Sequence, residues 1–155
     1  DYPKALVFEV INEPAVDDTT FTNGTLMNLQ EQVLEISKRA NASRNIIVTV
    51  RNANSSYQLT DLSDKLKTDK NVIVSAHCYD PMYFTHQGAE WLDYPKGVNF
   101  TETIADDIKA AINNCAAFEK ATGRTDRKSC CQTSFRGCFR RNDDLPPIVR
   151  SSLSI

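Results

Sequence analysis

Residues 7–14 read VFEVINEP, an apolar run that ends with an amide, a carboxyl group and a proline in succession. Two further runs of the same kind follow, NIIVTV at 45–50 and NVIVSA at 71–76. Short and almost unbroken runs of valine and isoleucine are typical of parallel strands that are covered on both faces. The three runs therefore predict a parallel sheet with strands at 5–11, 45–50 and 71–76.

Segments with helical periodicity separate and follow these runs. Residues 24–41, 59–67 and 101–121 each repeat apolar side chains every three or four positions, which predicts amphipathic helices. The predicted buried stripe of the first helix consists of Leu26, Leu29, Val33, Ile36 and Ala40; that of the last consists of Ile104, Ile108, Ile112, Cys115 and Phe118. Gly123 is the predicted stop of the last helix. Alternating strands and helices indicate an α/β fold with right-handed crossovers.

The length of the chain limits how much of such a fold it can hold. A closed barrel of eight strand and helix units takes roughly 250 residues, and this chain has 155 residues with about three units. We therefore expect a partial barrel in residues 1–123, with units missing at both ends. The next strand is due near residue 125, but residues 124–155 have neither an apolar run nor a helical stripe, so we expect an irregular tail.

The composition also changes after Gly123. Residues 1–123 carry a net charge of -6, and residues 124–155 carry +4. A basic tail can bind nucleic acid, but this one has no interleaved aromatic residues and no reading helix, so we expect a solvated or poorly ordered tail and no nucleic-acid partner. The abrupt loss of pattern also fits a shifted reading frame. The tail contains three of the five cysteines, an odd total that defines no disulfide framework and offers no metal site.

Two features of the sequence concern localisation. No apolar run approaches the roughly 20 residues of a membrane helix, and the first residues lack the features of a signal peptide. We therefore expect no membrane partner. Four glycosylation sequons favour secretion; they lie at Asn23, Asn41, Asn54 and Asn99.

Polar side chains follow the first and third apolar runs, at Asn12, Glu13, His77 and Tyr79. The carboxyl ends of parallel strands share one surface, and the spacing of two residues places His77 and Tyr79 on the same face. Partial burial and a neighbouring charge can keep a carboxyl group such as that of Glu13 protonated, which suits a general acid. The alternative is that Asn12 and Glu13 satisfy backbone groups where the strand turns at Pro14.

The second candidate region is the aromatic segment HCYDPMYFTHQGAEW at 77–91. Flat aromatic rings suit sugar rings, which makes Trp91 a candidate binding residue; packing in the core or the loop is its alternative. His86 is expected to make a local hydrogen bond. Cys78 faces away from His77 and Tyr79 and is expected to be a small buried filler.

The two segments FEVINEP and HCYDPMYFTHQGAEW together resemble glycoside hydrolase family 5, the cellulase family, over about residues 1–123. The resemblance implies a (β/α)8 barrel, of which this chain holds family strands four to six. It also implies a secreted enzyme without a cofactor that hydrolyses β-1,4-glucan or cello-oligosaccharides with retention of configuration by two glutamates. Glu13 corresponds to the acid/base. Asn12, His77 and Tyr79 correspond to residues that contact substrate and orient the glutamates.

The sequence departs from the family pattern where the nucleophile is due. That residue is a glutamate shortly after residue 125, but the only acidic residues beyond Gly123 are Asp126, Asp143 and Asp144. We therefore expect the isolated chain to lack covalent catalysis. A noncatalytic sugar-binding fragment is the alternative, and the open edges of a partial sheet favour self-association.

Overall fold

The computed structural model describes residues 6–124 and 130–132. Its centre is a parallel sheet in the order β1 (Phe8–Glu9), β2 (Ile46–Val48), β3 (Val72–His77) and β4 (Cys130–Gln132). Ile46 lies opposite both Phe8 and Val72 in the register. The predicted α/β class and the parallel sheet are therefore confirmed.

The two inner strands and the first strand differ in burial. Ile46, Val48 and Val72 are fully buried, as the apolar runs predicted. β1 is only two residues long, and Phe8 is 45% exposed. The prediction of a strand over 5–11 with both faces covered was therefore wrong for β1, because Phe8 and Glu9 are both exposed and only Val10 and Ile11, which follow the strand, pack partly against the core.

Helix α1 (Asn23–Ala40) begins at Thr22, whose hydroxyl oxygen accepts a hydrogen bond from the N–H of Thr25. Its predicted stripe is confirmed at Leu26 but wrong at Leu29 and Ile36, which are exposed. The other buried side chains of the helix are Met27, Gln30 and Leu34. The apolar pattern misplaced this face because it gave no weight to the glutamine, which is buried through hydrogen bonds to the backbone after β2.

The segment predicted as one helix over 59–67 is divided into two. A 3-10 helix (Ser56–Asp61) is followed by α3 (Asp64–Thr68), and Ser63 caps the second helix through its hydroxyl group. The apolar side chains expected on one side are all buried: Leu59, Leu62 and Leu66. The segment α2 (Arg51–Asn54) is a single turn in which Asn52 and Ala53 have left-handed backbone angles, and α4 (Met82–Thr85) is a short helix.

Helix α5 (Glu102–Thr122) matches the prediction closely. Ile104, Ile108, Cys115 and Phe118 are buried, and Ile112 packs against the cluster that contains Ile104 and Ile108. Gly123 ends the helix with a φ of 68°, a left-handed conformation that costs a glycine little.

The chain after Gly123 begins with an ordered contact. The guanidinium group of Arg124 donates hydrogen bonds of 2.7 to 3.1 Å to four backbone carbonyl oxygens near the start of β3. The acceptors are the carbonyls of Leu66, Lys67, Asp69 and Val72. Partial burial lowers the pKa of Arg124, while the charge of Asp69 opposes this shift. This side chain therefore ties the end of α5 to the sheet.

Strand β4 differs from the irregular tail that the sequence predicted, because Cys130–Gln132 pairs with Ser75, Ala76 and His77. A three-residue strand is held by backbone hydrogen bonds, so it needs no apolar run of its own. The other expectations for the tail fall on residues outside the described part of the chain. Cys115 is disulfide-bonded, whereas Cys78 is a free thiol.

Candidate functional site

Glu13 lies just beyond β1, where the chain turns. Its φ of 46° is in the left-handed region, which few residues other than glycine adopt. The next residue, Pro14, is buried, and the side chain of Glu13 remains 32% exposed. The turn therefore presents a carboxyl group that solvent can reach.

The structure brings Glu13 together with His77 and Tyr79. The Nδ1 atom of His77, at the end of β3, lies 2.6 Å from Oε1 of Glu13. The hydroxyl group of Tyr79 donates a hydrogen bond to the same oxygen. The rings of His77 and Tyr79 meet edge to face at 5.9 Å. Two side chains from the third predicted strand end therefore converge on the carboxyl group from the first.

The electrostatics of this cluster oppose the expectation that Glu13 is kept protonated. Partial burial raises the pKa of Glu13, but hydrogen bonds from Tyr79 and His77 outweigh it, together with the charges that His77 and His86 carry when protonated, and the pKa falls below its usual value. Burial and the bond to Glu13 raise the pKa of Tyr79 to about 12. At neutral pH, the carboxyl group is therefore an anion that a protonated phenol holds in place.

The structure places the other candidate residues outside this cluster. The side chain of Asn12 is exposed. Trp91 lies in the loop between α4 and α5 and is 77% exposed, which rules out the alternative that it packs in the core. Cys78 is buried, and burial raises the pKa of its thiol, as expected for a filler.

The expected local contact of His86 is confirmed. Its Nδ1 atom and the hydroxyl oxygen of Thr85 lie 2.9 Å apart. Its ring also packs edge to face against Tyr79, with centroids 5.1 Å apart. His86 therefore supports the phenol that contacts Glu13.

Asn54 is a residue of this site that the sequence analysis missed. Its Nδ2 atom lies 3.4 Å from Nε2 of His77, on the opposite side of the ring from Glu13. Both side chains are buried. The signal was the segment NAN at 52–54, which follows the second apolar run and so belongs to the same edge of the sheet.

The described part of the chain has neither a metal-binding cluster nor a membrane-spanning helix. No group of three His, Cys, Asp or Glu side chains in that part of the chain is placed to hold a metal ion. None of the described helices combines the length and the apolar character needed to cross a bilayer.

Comparison with known proteins decides the family. The model of "Cellulase (glycosyl hydrolase family 5)" matches residues 1–136. The chain belongs to glycosyl hydrolase family 5. The matched range includes β4, and the division of the chain at Gly123 stays a prediction.

Relatives and solved structures agree with membership in family 5. Endoglucanase 3 of Fibrobacter succinogenes is 31% identical over 90 residues, which cover 57% of this chain and 13% of that protein. A hyperthermophilic endo-β-1,4-glucanase, solved in complex with substrate, is 34% identical with a TM-score of 0.67 over 79% of this chain and 39% of its own.

A third similar protein is Cel5A of Thermotoga maritima. Its structure with mannotriose is 31% identical to this chain, with a TM-score of 0.63 over 80% of this chain and 39% of its own. It has also been solved in complex with cellobiose. The chain therefore spans well under half the length of these relatives.

Proposed function

We propose that this chain carries the acid/base half of a retaining endo-β-1,4-glucanase. The observation that carries this proposal is the contact of a partly exposed carboxyl group, Glu13, with His77 and Tyr79 at the carboxyl ends of parallel strands. Ligands of parallel α/β folds bind at these strand ends. In the proposed complete enzyme, the strands belong to a closed (β/α)8 barrel.

In the proposed reaction, Glu13 first protonates the leaving glycosidic oxygen and then, as a carboxylate, removes a proton from the attacking water. The first step needs a protonated Glu13, whereas its contacts lower its pKa. A second carboxylate nearby raises the pKa of a neighbouring carboxyl group. The missing nucleophile therefore has two proposed roles: it attacks the sugar, and its charge raises the pKa of Glu13.

The proposed nucleophile is not supplied by this sequence. Retaining cleavage requires two carboxyl groups about 5 to 5.5 Å apart, and the acidic residues after Gly123 are Asp126, Asp143 and Asp144 rather than a glutamate. The isolated chain is therefore expected to produce no reducing ends from soluble cellulose derivatives. Turnover that Glu13→Gln abolishes would refute this expectation.

External azide offers a direct test of the acid/base half. In an aryl β-cellobioside, azide would attack C1 while the bond from C1 to the glycosidic oxygen breaks and protonated Glu13 transfers its proton to that oxygen. We expect azide-dependent release of the phenol at mildly acidic pH, where part of the azide is still the nucleophilic anion and part of Glu13 is protonated, reduced about a hundredfold by Glu13→Gln. Release that Glu13→Gln leaves unchanged would contradict the assignment.

The proposed substrate is a β-1,4-glucan or a cello-oligosaccharide. We also propose that the protein is secreted, since a polysaccharide substrate lies outside the cell. Cel5A of Thermotoga maritima has been solved with cellobiose and with mannotriose, and the exposed ring of Trp91 offers a flat apolar face for a sugar. Asn12 is proposed to bind a sugar hydroxyl. We expect Trp91→Ala to weaken binding of cellotetraose about tenfold by calorimetry, whereas Ile36→Ala, an exposed apolar change on α1, leaves it unchanged.

A noncatalytic sugar-binding protein is the second candidate, and the lowered pKa of Glu13 favours it. A carboxylate that stays ionised can accept hydrogen bonds from sugar hydroxyls but has no proton to give. Binding of cellotetraose without azide-dependent product at any pH would support this candidate over the first.

A further inference from the structure

Asn54 occupies the buried side of His77. Asn54 is fully buried and the ring of His77 is 5% exposed. The Nδ2 atom of Asn54 lies 3.4 Å from Nε2 of the ring, and Nδ1 of the same ring lies 2.6 Å from Glu13. Each ring nitrogen therefore has one polar neighbour, an amide inside the protein and a carboxyl group toward solvent.

The backbone that carries Asn54 has an uncommon conformation. Asn52, Ala53 and Asn54 have φ values of 55°, 53° and 61°, and none of them is glycine. A left-handed conformation costs a residue such as alanine roughly 1 to 2 kcal/mol, and less for asparagine, whose short polar side chain can bond locally. The next residue, Ser55, pairs with His77 through an isolated parallel bridge, which fixes this turn beside the ring. The strain is retained at the point where it brings Asn54 to His77.

The chemistry of the two neighbours determines where the proton of a neutral ring lies. An ionised Glu13 only accepts hydrogen bonds, so Nδ1 of His77 must carry hydrogen to bond it. Nε2 then has a lone pair, and the Nδ2 group of Asn54 is a donor that satisfies it. The Oδ1 atom of Asn54 is buried and has no hydrogen-bond partner among the described residues. The amide thus bonds the ring while its oxygen stays unpaired.

We propose that Asn54 is a positioning residue that holds His77 in the tautomer with hydrogen on Nδ1, and so directs an N–H group at Glu13. The proposal deepens the proposed function, because it describes how the acid/base is held, and it rests on that role of Glu13. Asn54 is not proposed to touch the sugar.

The test is nitrogen NMR of the full 155-residue chain labelled with 15N-histidine at neutral pH. The chain has only two histidines, so His86→Gln assigns the signals. In the wild type, Nδ1 of His77 is expected at a shift typical of protonated nitrogen and Nε2 at a shift typical of unprotonated nitrogen. A proton on Nε2 of the neutral ring would overturn the proposal without any variant.

Two variants of Asn54 move the signals in different ways. Asn54→Leu removes the donor, and the ratio of the Nδ1–H to the Nε2–H tautomer is expected to fall about fivefold, as for the loss of one hydrogen bond. Asn54→Asp places an acceptor beside Nε2, and both ring nitrogens are expected to become protonated. If Asn54 had a merely structural role, Asn54→Leu would leave the tautomer ratio unchanged and Asn54→Asp would add no proton to the ring.

The matched control is Asn52→Leu, which lies in the same left-handed turn but has an exposed side chain. It is expected to leave the His77 signals unchanged. An unchanged ratio in Asn54→Leu, or equal changes in both leucine variants, would refute the proposal. Since no sugar is needed, this result is distinct from a failure of the proposed hydrolase function.

Discussion

Two fully buried amides, those of Gln30 and Asn54, differ in how completely they are bonded. The Nε2 group of Gln30 donates to the carbonyl of Thr49 at 3.0 Å, and its Oε1 atom accepts from the N–H of Thr49 at 2.7 Å. Asn54 makes one contact of 3.4 Å with His77 and leaves its oxygen unpartnered among the described residues.

The difference separates an amide that stabilises the fold from one that serves the site. Gln30 lies in a regular helix and satisfies both backbone groups of Thr49 just after β2. Asn54 lies in a strained turn and contacts a ring that bonds Glu13. Incomplete bonding and backbone strain concentrate at functional positions, where geometry matters more than stability.

The largest expected effect comes from Gln30→Leu. The change keeps the volume but leaves the buried N–H and C=O groups of Thr49 without the partners that Gln30 supplies, each at a cost of about 1 to 3 kcal/mol, so we expect a loss of about 2 to 6 kcal/mol. Urea denaturation measures it. The control Gln32→Leu, on the exposed side of α1, should change the unfolding free energy by under about 0.5 kcal/mol. Equal losses would remove the contrast between the two amides.

A smaller loss is expected for Asn54→Leu. The substitution removes a single hydrogen bond and also removes the unpartnered oxygen, so we expect a loss of about 1 kcal/mol in the unfolding free energy. The same urea denaturation would measure it beside Gln30→Leu. A loss as large as that of Gln30→Leu would mean that Asn54 is a main stabilising residue.

A gain in stability is expected for Ala53→Gly. Glycine adopts a φ of 53° without strain, which outweighs its greater freedom in the unfolded chain, so we expect a gain of about 0.5 to 1 kcal/mol. Thermal unfolding should show a higher midpoint. Ala116→Gly, at an exposed position inside α5, should cost about 1 kcal/mol. The opposite signs test whether the turn at 52–54 is strained.

The smallest effect concerns pH and Glu13. The contacts with Tyr79 and His77 lower the pKa of Glu13 in the folded chain below the ordinary value of 4.5. They therefore stabilise the folded chain at a pH above 4.5. This stabilisation is lost as the pH falls through the pKa of the folded state. We expect the difference in unfolding free energy between wild type and Glu13→Gln to shrink below pH 4.5. Tyr79→Phe should weaken this dependence, and a difference that grows on acidification would contradict it.

Apolar patterns predicted the fold where burial depends on apolar side chains alone. The inner strands and the stripe of α5 followed from such runs, and the stop at Gly123 followed from the freedom of glycine. The face of α1 was missed because Gln30 is buried through hydrogen bonds to a residue distant in sequence. β4 was missed because backbone pairing holds it.

The candidate site was only partly open to sequence reasoning. The grouping of Glu13 with His77 and Tyr79 followed from strand ends and a spacing of two residues. The ionisation state of Glu13 could not be predicted in this way. Burial raises its pKa and hydrogen bonds lower it, and the balance depends on distances of a few ångströms. Asn54 was counted only as a sequon, since no sequence rule places three left-handed residues at 52–54.

The burial of Asn54 has a consequence for producing the protein. Asn54 begins a glycosylation sequon, and the nitrogen to which an oligosaccharide would be attached is the atom beside His77. A glycan added there during translocation in a eukaryotic host would prevent the side chain from entering the interior. Ser56→Ala, which removes only this sequon, made in a yeast should therefore fold more completely than the unaltered chain in the same yeast.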